Sequence, residues 1–152
     1  MTASWKFACL GAALALCASA LPAAAQRIVP PGHTIYFFSG TTADPINPAL
    51  APGSAGRMGD TVQQADNILN KLKDMLAKNG LGFGDVIKAT VFLVADPAKG
   101  NVIDFAGLNS EWGKRFGTAD QPNRPSRSAI QVNLPTPGAL VEIELIAEKQ
   151  AP

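Results

Sequence analysis

The stretch Leu140-Val-Glu-Ile-Glu-Leu-Ile-Ala147 alternates apolar and acidic residues before turning wholly apolar. Strand side chains point alternately to opposite faces, so Val141, Ile143 and Leu145 share one face and Glu142 and Glu144 the other. Such a strand belongs in a sheet with one face covered by a core. A second period supplies the cover. From Val62, the residues Ala65, Leu69, Leu72 and Leu76 recur at helical spacing, with Lys71, Lys73, Asp74 and Lys78 largely off that stripe. Asp60 is placed as N-cap, Gln63 completes a capping box, and Gly80 stops the helix.

The remaining elements follow from local signals. His33 to Ser39 is aromatic and β-branched and reads as a strand; Gly40 to Arg57, rich in Pro, Gly, Ala and Asn, reads as a long loop. Asp85 to Val94 is a strand that becomes fully apolar, so one end is expected to be buried on both faces. Val102 to Phe116 is expected to form a second helix carrying Phe105, Leu108, Trp112 and Phe116, with Trp112 in the core. Arg127 to Val132 and Ala139 to Ala147 are two strands joined by Asn-Leu-Pro-Thr-Pro-Gly. The order β, α, β, α, β, β predicts an α+β domain with two helices on one face of a mixed sheet.

The N-terminus has a different character. Lys6, the apolar run from Phe7 to Ala20 and the small residues Ala23, Ala24 and Ala25 form the pattern of a secretory signal peptide over residues 1–25. Pro22 ends the run short of the ~18–20 apolar residues that span a bilayer, so a retained anchor fits less well. Bulky Leu16 before Cys17 argues against a lipoprotein site. A single domain, 26–152, is left, secreted and periplasmic. Both cysteines, Cys9 and Cys17, leave with the signal. So does Lys6, which leaves 12 basic residues against 12 acidic ones. A neutral chain without a basic run offers no electrostatic footprint for nucleic acid. One histidine, His33, and no cysteine rule out His/Cys metal clusters, and there is no nucleophile elbow or phosphate-binding glycine loop. Any catalysis has to rest on arginine, carboxylates, hydroxyls and backbone groups.

Arg127, Ala129 and Gln131 share a face of their strand. If the six-residue loop closes a hairpin, Arg127 lies opposite Glu144 and Ala129 opposite Glu142; a two-residue slip puts Arg127 opposite Glu142. Either register sets Arg127 and both glutamates on one face, and only an odd slip parts them. One reading is a cross-strand ion pair on a wet face, contributing roughly 0–1 kcal/mol. The other is an anion site, in which the guanidinium fork holds a carboxylate and a nearby glutamate holds water or moves a proton. His33 is expected at an exposed strand start, and Tyr36 in or beside the core. Ser39 and Ser128 lack a base. Arg124 is either a solvated loop charge or a second basic group near the cleft.

Arg124-Pro-Ser-Arg127-Ser-Ala-Ile-Gln-Val132, a short loop and the closing Glu142-Ile-Glu144 resemble the signature of the RidA-like (YjgF/YER057c/UK114) family. So do Ser39-Gly40, the helix Thr61 to Gly80, the run Gly82 to Val94 and Asp104-Phe-Ala-Gly-Leu-Asn-Ser-Glu-Trp112. The resemblance covers nearly all of 26–152, in order. It implies a fold similar to the Bacillus-type chorismate mutase, a homotrimer, and clefts between subunits. It implies an enamine/imine deaminase that hydrolyses a small 2-imino or 2-enamino acid to the 2-oxo acid and ammonia. Arg127 would grip the carboxylate, Glu142 would position or activate water as the catalytic group, and backbone groups near Gly40 and Ala129 would complete the substrate pocket; Asn109 either hydrogen-bonds to the substrate in the cleft or serves the helix surface or a cap. No metal or organic cofactor is required. The partners expected are a small carboxylate ligand and further copies of the chain, with neither nucleic acid nor, after signal cleavage, membrane.

Two positions depart from the family pattern. Ala129 stands where a cysteine is familiar, and Gln26-Arg-Ile-Val-Pro-Pro-Gly32 replaces a Gly-Pro-Tyr segment whose tyrosine lines the cleft. The second departure motivates an alternative, a non-catalytic trimeric protein that binds small carboxylates. An RNase-like activity is disfavoured by the neutral charge and the lack of catalytic histidines.

Overall fold

The computed structural model describes residues 27–151, and the expected signal segment, residues 1–25, lies outside them. The elements are β1 (His33–Thr42), α1 (Thr61–Lys78), β2 (Val86–Leu93), α2 (Phe105–Trp112), β3 (Ser126–Gln131) and β4 (Val141–Gln150), with single 3-10 turns at Phe83–Asp85 and Pro97–Lys99. The fold is α+β, a mixed sheet with two helices, as the order of elements predicts.

Helix α1 starts and stops where its caps require. The Asp60 carboxylate accepts from the Gln63 backbone N–H at 2.9 Å, and the Gln63 carboxamide oxygen accepts from the Asp60 N–H at 3.1 Å. At the far end Gly80 takes φ +68, so that its N–H reaches Ala77 O and the N–H of Leu81 reaches Leu76 O. Between the caps Ala65, Ile68, Leu69, Leu72 and Leu76 are wholly buried, whereas Val62 is only half-buried. Gln64 is buried too, and fully satisfied. Its amide nitrogen donates to Gly59 O and Gly138 O, and its oxygen accepts from Leu140 N–H at 2.8 Å, tying the start of α1 to the start of β4.

Helix α2 is shorter than the expected 102–116. Asp104 accepts from the Gly107 N–H at 2.9 Å and so caps a helix that begins at Phe105. Val102 instead bridges to Asp96. Leu108, Trp112 and Phe116 are buried as expected, but Phe105 is 43% exposed.

The strand order is β1-β4-β2-β3, with β1–β4 and β4–β2 antiparallel and β2–β3 parallel. This overturns the expected hairpin: β3 and β4 are not neighbours, because β2 lies between them. The reason is burial. Strand β2 carries Val86, Ala89, Val91 and Leu93 buried on one face and half-buried residues on the other. A strand covered so fully takes the centre of the sheet, and the polar, exposed β3 takes an edge. Both β1–β2 and β2–β3 are then joined through a helix, the usual connection between strands running in the same direction.

Register also decides the faces. Arg127 pairs with Ala89, and Ala89 with Leu145; Ser128 pairs with Thr90, and Thr90 with Glu144. Residues paired across strands share a face. Arg127 therefore stands on the helix-covered face with Val91, Ile143 and Leu145, while Glu142 and Glu144 stand on the open one. The expectation that Arg127 shares a face with the glutamates is wrong, and no ion pair links them. The open face is also less wet than the alternation implied. It presents Phe37, 77% exposed, together with Ile35 and Ile130.

Candidate functional site

Three residues of α2 face Arg127. Phe105, Asn109 and Trp112 follow one another at i, i+4 and i+7, a single helical stripe. The Asn109 side-chain oxygen accepts from Arg127 Nη2 at 2.7 Å. The guanidinium carbon lies 4.7 Å from the centre of the Trp112 ring and 5.6 Å from that of Phe105. Trp112 in turn stacks on Phe116, with ring centres 4.3 Å apart. Trp112 is thus the expected core residue and also an aromatic floor for a cation.

The guanidinium is only partly served by this setting. Nη1 is buried and has no hydrogen-bond partner. Burial pushes the Arg127 pKa below its ordinary value, yet an arginine stays charged in a protein. Among the described residues no carboxylate pairs with it. The cation borders a cavity of about 380 Å³, also lined by Asn109, Trp112, Phe116, Arg124 and Pro125. A guanidinium with one donor unused by the protein, set over an aromatic floor beside a cavity, offers a charged binding group for a carboxylate.

Gly40 and Glu142 form a second pair elsewhere. Gly40 sits in the irregular step of β1 between Phe38 and Thr41, beside Glu142 of β4. A Cβ at Gly40 would lie 2.8 Å from the Glu142 carboxyl carbon. The carboxylate occupies the space a side chain would need, so any larger residue at 40 has to displace it, although the backbone angles of Gly40 do not call for glycine.

The expected site residues therefore fall into two groups. Arg127 and Asn109 meet at the β3 edge on the helix-covered face; Gly40 and Glu142 meet across β1 and β4, with β2 between the groups. Ala129 is exposed two residues beyond Arg127 and does not line the cavity. Phe105 and Trp112, the rings beside the guanidinium, went unrecognised as site residues in the sequence, although their shared stripe with Asn109 is visible there. Of the two readings of Arg124, the structure supports the second: it lines the same cavity as Arg127. His33 is not exposed as expected. It is half-buried at the start of β1, with Nδ1 against the Glu148 carboxylate. Tyr36 packs against the core.

Fold and cavity together define a class: a small α+β domain with an unneutralised arginine at the edge of its sheet. The family can be stated more closely. The model of the endoribonuclease L-PSP family matches residues 20–149, and the chain belongs to this family, which is that of the RidA/YjgF proteins. Protein DfrA of Myxococcus xanthus is 37% identical over 89 residues, 59% of this chain and 60% of that protein, less than two thirds of its length. A 2-iminobutanoate/2-iminopropanoate deaminase of the goat, Capra hircus, is 32% identical over 115 residues, 76% of this chain and 72% of that protein. A solved YjgF-family structure from Neisseria meningitidis shares the fold, with a TM-score of 0.55, 22% identity and coverage of 78% of this chain and 82% of that one.

Proposed function

We propose that the protein hydrolyses small 2-imino acids, or their 2-enamino tautomers, to 2-oxo acids and ammonia in clefts between the copies of a homotrimer. The observation that carries this reading is Arg127, whose buried Nη1 has no partner beside an open cavity. The deaminase among its relatives supports the choice of reaction. Arg127 holds the substrate carboxylate and Asn109 fixes the guanidinium. Water adds to the C=N carbon, a proton passes to nitrogen, and the tetrahedral adduct collapses with departure of ammonia. No electrons are transferred. A carboxylate that accepts a proton from water and returns one to nitrogen typically gives ~10²–10⁴-fold, and Glu142 is the group proposed for it.

Within one chain Glu142 and Arg127 lie on opposite faces of the sheet, so the proposal requires Glu142 to come from a neighbouring copy. Support for association is the apolar open face, where Phe37, Ile35 and Ile130 are exposed. Light scattering tests this part, and a monomer would remove the reading. For the chemistry, 2-iminopropanoate is generated in situ and release of ketoacid and ammonia is followed. The proposal expects acceleration over buffer that disappears in Arg127→Ala, and an equal rate in the variant sinks it. We also propose export, from the signal pattern of residues 1–25; N-terminal sequencing of the protein recovered from cells checks the cleavage.

A second reading, a carboxylate-binding protein without catalysis, is favoured by one observation: among the described residues no carboxylate pairs with Arg127 or lines its cavity. Binding of 2-oxo acids without turnover of the imine would select it.

A further inference from the structure

We propose that Arg124 is a second carboxylate-binding residue of the Arg127 cavity, and that the site prefers 2-oxo and 2-imino dicarboxylic acids to monocarboxylic ones. The inference rests on reading the Arg127 cavity as a carboxylate site.

The two arginines share one cavity of about 380 Å³. Among the described residues neither is in an ion pair, in contrast to Arg115, which is spent on Asp66 and Glu111. Two unneutralised cations at one hollow repel each other, and a single carboxylate, even where it bridges both, leaves a net positive charge. An acid of four or five carbons with a carboxylate at each end answers both.

Arg124 is exposed, and its place on the chain is set by its surroundings. Its guanidinium lies across Gly117, where a Cβ would be 2.6 Å from Cζ, and Gly117 has φ +76. The glycine turns the chain after α2 and leaves bare backbone on which the guanidinium rests. On either side of Arg124 the loop is pinned. The Asn123 amide nitrogen donates to Gly84 O and Val86 O at 2.9 Å each, and Pro125 is buried. A cation carried on an anchored stretch of backbone loses less freedom when a ligand arrives than one on a mobile loop. The lining of the same cavity includes the stacked rings of Trp112 and Phe116, apolar surface for the methylene portion of a diacid.

The test is calorimetry on the full protein with 2-oxobutanoate and 2-oxoglutarate. Wild type is expected to bind the diacid roughly tenfold more tightly, the scale of one added charge-assisted contact. In Arg124→Gln that ratio should fall to about one, and Arg124→Lys should restore part of it, because a cation without the planar fork still attracts the second carboxylate. A wild-type protein that binds the monoacid as well as the diacid overturns this inference and leaves the proposed function standing. So does an Arg124→Gln protein that keeps the wild-type ratio. Failure of wild type to bind either acid overturns both.

Discussion

Replacing Arg127 by methionine separates what this residue does for the fold from what it does for a ligand. Two terms favour the arginine: the bond to Asn109 at 2.7 Å, about 1.5–3 kcal/mol for a charged donor, and the stacking on Trp112 at 4.7 Å, about 0.5–2 kcal/mol. Against them stand a buried Nη1 without a partner, about 1–3 kcal/mol, and the partial desolvation of the charge. Methionine keeps an unbranched apolar side chain over Trp112 and carries no polar hydrogen to leave unpaired. The terms nearly cancel, so Arg127→Met should unfold in urea within about 1 kcal/mol of wild type at equal protein concentration. Binding of 2-oxobutanoate should nevertheless fall at least roughly a hundredfold, as expected when a bidentate charged partner is removed. The internal standard is Leu69→Ala, a wholly buried leucine, which should cost about 2–5 kcal/mol. A loss in Arg127→Met comparable to Leu69→Ala, with ligand binding retained, would refute the assignment of this guanidinium to a ligand.

Three further outcomes are expected. Gly40→Ala places a Cβ against the Glu142 carboxylate, which must swing aside at a cost of about 0.5–1.5 kcal/mol; in Gly40→Ala/Glu142→Ala most of that cost should vanish, so additive losses in the double-mutant cycle would contradict the contact. Asp104 is held below the usual carboxylate range first by Lys99 and then by the Gly107 N–H, so its stabilising effect is complete above the ordinary carboxylate pKa and is lost as pH falls through the lower folded value. Asp104→Ala should therefore cost about 1–2 kcal/mol at pH 7, and urea titrations should show the gap to wild type narrowing in acid; a gap that widens there would be inconsistent with the cap. Phe37→Glu, on the open face, should leave the circular dichroism of the protomer unchanged while reducing the particle mass in light scattering, since each buried phenylalanine contributes about 1.5–3 kcal/mol; an unchanged mass counts against association through this face.

Helix α1 was legible in full because every signal for it is local. Asp60 and Gln63 close its first turn, Gly80 can take the positive φ of its last, and the apolar stripe between them has one period. The type of each strand was legible for the same reason. The bounds of α2 were not. Val102 and Phe105 continue an apolar pattern, but Val102 is drawn into a bridge with Asp96 and Asp104 caps the chain two residues later. The core position of Trp112 could be read from its stripe, whereas its second role depends on which strand passes beside α2.

That last dependence explains why the site was half read. Alternation fixes which residues of a single strand share a face, and it placed Arg127 with Ala129 and Glu142 with Glu144 correctly. It does not relate the faces of two strands, because that relation passes through every strand between them. The expected hairpin set Arg127 against a glutamate. With β2 inserted, the row through Arg127 and Ala89 meets β4 at Leu145, one residue from Glu144. A shift of one residue is enough to exchange faces. A charge on the apolar face of a central strand would be expelled at such a register. On the edge strand it is tolerated, because Asn109 takes one nitrogen, Trp112 takes the face of the fork and the cavity beside Arg124 keeps the rest within reach of an anion. The residue that defeats the simple pattern is thus the one whose position the core does not explain, and its Nη1 is left without a partner in the protein, which is the ground for proposing an acid there.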